Sequence, residues 1–348
     1  MIFREYEEFY LTNNTSNCSL VFVFNNINDP AIDNDHKSEC VYPDEIEQIA
    51  DSFRRIENLE ITLCPSEQIF IDKIEGFLSS NKEIYVYSMA QNIENEGRRC
   101  LVPLLCQYYG FTNISGTFKD SFLSGNKQLM TELLTKSCIL MPQKYFFSKK
   151  NRENWVILLK KFSPEKVIIK PNCESASIGV IVITLGLTNY DRVITYIEKE
   201  LIKYDTLIVE QFIDGVEIEC TVIKEDDKFL VLPVVEIIKD KSIEYLDYET
   251  VKNNLYDYKL YNHFTESISM LSSNAFTLLG FNRIGRFDYI ITGKSEIFLF
   301  DITANPTISE YSSTNFACES YYSETDSSLI YRLLFFLSYY SNHRSQTV

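Results

Sequence analysis

The chain has 348 residues, and its 33 lysines and arginines against 49 aspartates and glutamates give a formal net charge of −16. Because nucleic-acid backbones and anionic membranes bind basic surfaces, this balance argues against both as the main partner. Hydrophobic residues make up 45% of the chain, which is enough for a large core and atypical of disorder. The length predicts about two or three closely packed lobes.

Nine cysteines are scattered along the chain without a C-x-x-C pair. A disulfide framework or a zinc site needs tighter spacing, so we expect mostly buried, reduced thiols. The acidic N-terminus lacks the basic start and apolar run of a signal peptide, and no run reaches the roughly 18 apolar residues of a membrane span. These features predict a cytoplasmic protein, and the apolar stretch at 329–340, which contains Arg332, reads as a terminal helix docked on the body.

The predicted elements change character along the chain. Strands at 19–24 and 83–88 alternate with helices at 44–56 and 98–109, as in an open α/β sheet. The remainder is α+β, with strands at 166–171, 179–185, 206–213, 217–223, 229–238, 286–292 and 296–303, and helices at 127–137, 190–203, 262–279 and 326–340. We expect crossings between lobes near 116–124 and 212–216. The polar, Tyr-rich segment 239–262 is predicted to be a long functional loop or lid, with a plain surface excursion as the alternative.

Common catalytic motifs are absent from the sequence. Residues 280–285 have G-x-x-x-x-G spacing, but Arg286 follows where a phosphate-binding loop needs lysine. No G-x-G-x-x-G, H-E-x-x-H or G-x-S-x-G occurs, and His36, His263 and His343 lie in polar surroundings. Chemistry must therefore use carboxylates, lysines, arginines and backbone groups.

Two lysines lie at positions where a positive charge is energetically unfavourable. Lys170 closes the apolar run 167–169, so it loses solvation unless an anion meets it, and the following small-residue loop at 174–177 could offer donors to phosphate. Lys127 lies in the first turn of a predicted helix, where the dipole disfavours a cation. The alternatives, a hairpin turn with an exposed lysine and a merely solvated lysine, stay open.

Carboxylates mark two further segments. Glu210 ends a predicted strand and Glu217 opens the next, which also suits a hairpin with surface acids. Arg286 and Asp288 share one face of a strand, and Asp301 ends the strand that follows. Two carboxylates on adjacent strands suit magnesium, which completes its shell with phosphate and water. A purely structural Arg286–Asp288 pair is the alternative.

In order, these segments resemble the ATP-grasp superfamily and, within it, the D-alanine–D-alanine ligase family. The resemblance covers roughly residues 84 to 316 and rests on an ordered set rather than on one motif: Lys127, Lys170-Pro171, Ser177-Ile178-Gly179, Glu210-Gln211-Phe212-Ile213, Gly215, Glu217, Arg286, Asp288, Asp301 and Pro306. It implies a three-lobed ATP-grasp fold, with an N-terminal open α/β domain at 1–117, a central lobe at 118–213 and a C-terminal lobe at 214–348. ATP would be clamped between the two α+β lobes.

The resemblance also implies roles. Lys127 and Lys170 would hold the ATP phosphates, with a loop closing over them that includes Glu174 and Ser177. The other implied residues are Glu210, Gln211 and Ile213 for adenine, Glu217 for ribose, Asp288 and Asp301 for one or two Mg²⁺ ions, and Arg286, Ser177 and Lys252 for catalysis. The implied reaction is a two-step ligation, in which a carboxylate takes the γ-phosphate and an amine then attacks the acyl phosphate.

Departures from the family concern the metal and the substrates. Thr303 stands where an asparagine would ligate the second magnesium, with Asn305 as a shifted substitute, and Thr307 replaces a glycine close to the substrate. Ser312 keeps the hydroxyl that would receive the second substrate's carboxylate. Tyr248 opens a lid sequence that differs from the family's, and Lys252 stands one residue late for its lysine.

The first-substrate pocket departs further. Residues 25–30 lack the family's Gly-Gly-x-Ser-x-Glu, whose glutamate receives the first amine, and Ala176 replaces a serine. The sequence therefore predicts an ADP-forming carboxylate–amine ligase for two amino-acid-like substrates other than two D-alanines. The alternatives are a degenerate ATP-grasp protein that binds nucleotide without turnover, a true D-alanine–D-alanine ligase, and a kinase or carboxylase. Partners would be small molecules, with a possible homodimer.

Overall fold

The computed structural model describes residues 2–14, 17–29, 32, 37, 40–91, 97–162, 165–186, 190–225, 228–240, 242–306, 308–309, 311–322 and 329–344. The helices are α1 (Ile2–Asn13), α2 (Pro43–Arg54), α3 (Glu67–Ser79), α4 (Leu101–Tyr109), α5 (Phe118–Ser124), α6 (Lys127–Leu134), α7 (Trp155–Lys160), α8 (Tyr190–Glu200), α9 (Tyr248–Lys252), α10 (Thr265–Leu279), α11 (Ser313–Tyr322) and α12 (Leu329–His343). The strands are β1 (Cys18–Val23), β2 (Glu60–Cys64), β3 (Glu83–Ser88), β4 (Thr112–Asn113), β5 (Lys144–Phe147), β6 (Lys166–Pro171), β7 (Ile181–Thr184), β8 (Leu207–Gln211), β9 (Val216–Glu225), β10 (Lys228–Val231), β11 (Val235–Lys239), β12 (Tyr256–Leu260), β13 (Ile284–Ile291) and β14 (Ile297–Thr303).

The first sheet is parallel, in the order β2-β1-β3-β4. Both of its faces are covered: Val21 and Val23 pack with α3 and α4, whereas Leu20 and Phe22 pack with α2 and α12. Parallel strands buried on two faces are the pattern of an open α/β sheet, which confirms the prediction for this part of the fold class.

The helix after β1 begins with a local capping arrangement. Pro43 is its first residue, and the Glu45 carboxylate accepts a hydrogen bond from the Tyr42 backbone N–H at 3.0 Å. Proline at this position loses no helical hydrogen bond, and the carboxylate satisfies a free donor. These contacts fix the Glu45 side chain at the N-terminal end of α2.

Two antiparallel sheets form the remainder. One has the order β5-β8-β6-β7, and the other has the order β12-β11-β9-β13-β14, with β10 paired to β9. The alternative of a hairpin between β8 and β9 is wrong, since the two strands belong to different sheets. A side chain at Gly215 would collide with the Ile291 carbonyl, so the small residue lets β9 begin against β13.

The segment 239–262, predicted as a long functional loop or lid, contains two regular elements and so is not one unbroken loop, while its lid function stays a prediction. It contains α9, and β12 pairs antiparallel with β11, with Val235 opposite Leu260. The edge strand β12 was not predicted because it is partly exposed and its sequence is polar and Tyr-rich. The predicted strand at 229–238 is two strands, because Pro233 cannot donate to a ladder between β10 and β11.

The C-terminal helix docks where the apolar pattern predicted. Tyr10 of α1 packs its ring against Phe335 and Tyr339 of α12, with centroids 5.5 Å and 4.8 Å away. Within the described ranges, no helix is long and apolar enough to cross a membrane. All nine cysteines are described, they lie outside any disulfide, and seven of them are buried.

Candidate active site

A cavity of about 380 Å³ lies where the two antiparallel sheets, the 175–177 loop and the start of α2 meet. Eleven of the residues proposed from the sequence line it: Ser177, Glu210, Gln211, Ile213, Glu217, Lys252, Arg286, Asp288, Asp301, Thr303 and Ser312. Segments far apart in sequence therefore converge on one concave site that several charged side chains line.

Lys170 forms an ion pair with the buried carboxylate of Glu210, as expected for a lysine at the end of an apolar strand. Its Nζ lies 2.9 Å from Glu210 Oε1, and Lys144 Nζ lies 2.6 Å from the other oxygen of the same carboxylate. Burial lowers the pKa of Lys170, but Glu210 and Asp301 outweigh burial and the net direction is upward. Burial also raises the pKa of Glu210, and the two lysines reverse it, so the carboxyl stays ionised. The alternatives left open for these residues, an exposed lysine and a surface glutamate, are therefore both wrong.

Lys127 begins α6, as predicted, and it faces the same region. Its Nζ donates to the Glu174 carbonyl at 2.8 Å and lies 3.7 Å from Asp301 Oδ1. A small cavity beside the main one is lined by Lys127, Lys144, Lys170 and Asp301. The three lysines carry three positive charges, whereas their carboxylate partners, Glu210 and Asp301, carry two negative charges. This excess of positive charge suits an anionic ligand.

The two carboxylates predicted to lie on adjacent strands are neighbours in the sheet, Asp288 on β13 and Asp301 on β14. Asp288 lies directly opposite Asp301 on β14. The Arg286 guanidinium donates two hydrogen bonds to the Asp288 carboxylate, at 2.8 Å and 2.9 Å. Burial raises the pKa of Asp288 to about 7, with Glu219 and Asp301 adding to the rise and Arg286 opposing it. Burial likewise raises the pKa of Asp301, but Lys127 and Lys170 turn the net direction downward.

The loop between β6 and β7 is held in an unusual backbone conformation. Ala176 and Ser177 have φ of 50° and 56°, and Gly179 has φ of 70°. Left-handed residues in sequence tighten the loop, and such strain persists only where contacts hold it. Ser177 Oγ donates to the Leu246 carbonyl at 2.7 Å, so this loop is tied to the segment before α9.

Three predicted residues lie elsewhere in the described structure. Glu174 pairs with Arg98 and lines neither cavity. Tyr248 is not part of the cavity wall, and its ring packs under Lys252 Nζ at 5.5 Å. Asn305 lines neither cavity and donates to the Ser88 carbonyl at 3.1 Å, and its metal role stays a prediction. Thr307 lies outside the described residues.

The structure adds four residues that the sequence did not suggest. Lys144 was hidden because its partner Glu210 is opposite only once β5 and β8 pair. Arg99 lines the cavity, and its Nε donates to the Gln91 side chain at 2.9 Å. Glu219 and Glu45 also line it. The spacing of Glu219 from Glu217, two residues along a strand, was an available signal.

Comparisons with known proteins define the class first. The crystal structure of D-alanine–D-alanine ligase from Bacillus anthracis complexed with ATP superposes with a TM-score of 0.72, covering 94% of this chain and 99% of that chain at 13% identity. At that identity the likeness concerns the fold, which is the predicted ATP-grasp fold.

Sequence comparison then gives the family. The profile described as "D-ala D-ala ligase C-terminus" matches residues 144–334, more than half of the chain. The D-alanine–D-alanine ligase of Petrotoga mobilis is 29% identical over 75% of this chain and 82% of its own length. That of Azobacteroides pseudotrichonymphae is 29% identical over 43% of this chain, and the match spans 50% of that relative. The chain belongs to the D-alanine–D-alanine ligase family.

Proposed function

We propose that this protein is an ATP- and magnesium-dependent ligase that forms an amide bond between two D-amino acids, with D-alanine as the first substrate. The observation that carries the proposal is that three lysines line a small cavity directly beside the main cavity, which Asp288, Asp301 and Arg286 line. Such a site acts by positioning and charge neutralisation, which needs no histidine.

The lysine side of the site fits the triphosphate of ATP. Lys127, Lys144 and Lys170 line one small cavity, and the strained 175–179 loop follows Glu174, whose carbonyl accepts a hydrogen bond from Lys127 Nζ. Glu210, Gln211 and Ile213 border the main cavity and would face adenine, while Glu217 would take the ribose hydroxyls. Glu217 is held by Lys239 at 2.7 Å, which fixes its orientation.

The acidic side fits a divalent cation. Asp288 and Asp301 face each other on adjacent strands, and burial, to which Glu219 and Asp301 add, raises the pKa of Asp288 to about 7. Hard oxygen ligands of this kind are those that magnesium prefers. A bound magnesium would neutralise phosphate charge, while Thr303 would offer a hydroxyl from the cavity wall and Arg286 would face the reacting acyl group.

Glu45 bears on the first substrate. The sequence predicted a substrate other than D-alanine because no glutamate follows β1 within 25–30. Glu45, in the first turn of the helix after β1, lines the cavity, and burial raises the pKa of its carboxyl. We infer that it receives the amine of the first D-alanine, which removes the main argument against this substrate.

The test is Glu45→Gln, which keeps the oxygen that caps Tyr42 but removes the charge. We expect the KM of the first D-alanine to rise by about tenfold or more, since a charged hydrogen bond is lost. Steady-state phosphate release measures it, with separate KM values for the two D-alanines.

Glu47→Gln, an exposed acid on the same helix that pairs with Arg54, is the matched control and should leave both values unchanged. An unchanged first KM in Glu45→Gln would contradict this assignment. ATP binding without phosphate release for any pair of amino acids would instead favour the degenerate nucleotide-binding alternative.

A further inference from the structure

Glu219 presents a buried carboxylate oxygen to the cavity. Residues of β9 alternate, so Ile218 and Cys220 enter the core while Glu217 and Glu219 face the site. Glu219 is 8% exposed, and within the described residues no donor meets its Oε2. A buried carboxylate oxygen without a donor is costly, so a ligand that supplies one is favoured.

The charge balance around Glu219 favours a cation. Glu219 lies directly opposite Asp288, which lies directly opposite Asp301, so three acids form a row across β9, β13 and β14. Like charges directly opposite each other in a sheet are destabilising. Arg286 is engaged by Asp288 and reaches Glu219 Oε1 only at 3.4 Å, while Lys127 lies at the far end near Asp301. The Glu219 end is therefore the least neutralised.

The magnesium ion proposed at Asp288 and Asp301 does not need Glu219, because magnesium takes one or two protein carboxylates and completes its shell with phosphate and water. In the part of the chain that the structure describes, no group of three or more histidine, cysteine, aspartate or glutamate side chains is arranged to hold a metal ion. An ammonium group needs only one or two acceptors and fits a single open carboxylate oxygen.

The position of Glu219 matches the second substrate. Thr221, the next residue on the same face of β9, hydrogen bonds to Thr314 at 3.0 Å. Thr314 is two residues after Ser312, which lines the cavity and is expected to receive the carboxylate of the second substrate. Glu219 therefore lies between Arg286 and the segment that would hold this carboxylate.

We propose that Glu219 binds the ammonium group of the second amino acid while Ser312 holds its carboxylate. This inference rests on the proposed ligase function and adds a residue that sets specificity for an amine over a hydroxyl. A hydroxy acid of the same shape lacks the cation and gains nothing from Glu219.

The experiment compares D-alanine with D-lactate as the second substrate in the unmodified protein and in Glu219→Gln. We expect the KM of the second D-alanine to rise about tenfold to a hundredfold, while that of D-lactate stays within about twofold. Equal losses for both acceptors would overturn the proposal, because they would mean that Glu219 only positions Arg286. Unchanged kinetics with D-alanine would overturn it as well.

Two controls complete the design. Glu236→Gln removes an acid of the same sheet that pairs with Lys259 and does not line the cavity, so it should change neither KM. If circular dichroism shows Glu219→Gln unfolded, Glu219→Asp, which keeps the charge but withdraws it, should raise the D-alanine KM alone, and equal losses again overturn the proposal.

Calorimetry keeps this inference separate from the proposed function, because binding needs no turnover. Absence of turnover by the unmodified protein would refute the ligase proposal. In that case Glu219→Gln should still lose one of the D-alanine binding events seen with ADP and magnesium, and unchanged D-alanine binding would overturn the ammonium site.

Discussion

The position of Lys170 in the sequence predicted one of its neighbours in the site and not the other. Its place at the end of an apolar strand predicted an anion nearby, and the structure supplies Glu210. The second lysine on that carboxylate, Lys144, was unpredictable because only strand pairing brings it there. Asp288 and Asp301 were predicted to face one way, and their register confirms it. Glu45 was missed because the loop after β1 is longer than the family motif allows.

Lys170→Ala should weaken ATP binding while the fold is retained. Glu210 keeps Lys144 as its partner, so the buried carboxylate is not left without a cation. We expect a rise of about tenfold or more in the KM for ATP, as for loss of a charged hydrogen bond. Lys160→Ala, an exposed lysine on α7, is the control. A folded Lys170→Ala protein with unchanged ATP kinetics would refute the phosphate role.

The stability of the metal-free protein should depend on Asp288 ionisation. The pKa of Asp288 is about 7 in the fold against an ordinary value of 3.8, so the folded state binds the extra proton between these values. Its contribution to stability is therefore present at low pH and lost as pH rises toward 7. Thermal unfolding in EDTA should show a fall in Tm from pH 5.5 to 8 that is smaller in Asp288→Asn. Parallel curves for the two proteins would contradict the raised pKa.

At the scale of elements, amphipathic and capped segments were predictable and edge elements were not. The apolar run at 329–340 predicted α12, and Lys127 was correctly placed at the start of a helix, α6, whose N-cap is Asn126. Helix α1 was missed because its short, acidic sequence depends on tertiary contacts, chiefly packing on α12, rather than on a strong local helical signal. Strand β12 was missed because an edge strand needs no apolar alternation.

The α1–α12 contact should carry substantial stability. Tyr10 is fully buried against α12, and its hydroxyl donates to the Glu57 carbonyl at 2.8 Å. We expect Tyr10→Ala to lower the free energy of unfolding by about 3–5 kcal/mol and Tyr10→Phe by about 1 kcal/mol. Urea unfolding measures both, with the exposed Tyr108→Ala as control. A loss below about 1 kcal/mol in Tyr10→Ala would mean that α1 is dispensable.

For the whole molecule, composition predicted an acidic protein, whereas the site is locally basic on one side. Three lysines and Arg286 lie around the cavities of a chain with net charge −16, so global charge says little about the ligand. The order of charged segments was what predicted the fold, which the comparisons confirm. Domain boundaries at 117/118 and 213/214 stay predictions, as does the homodimer.

The most direct measurement of the central claim is product analysis of the unmodified protein with ATP, Mg²⁺ and D-alanine. The proposed site predicts equal amounts of ADP, phosphate and D-alanyl-D-alanine by mass spectrometry, all abolished when D-alanine or Mg²⁺ is omitted. ATP binding with no D-alanine-dependent phosphate and no dipeptide would contradict the account.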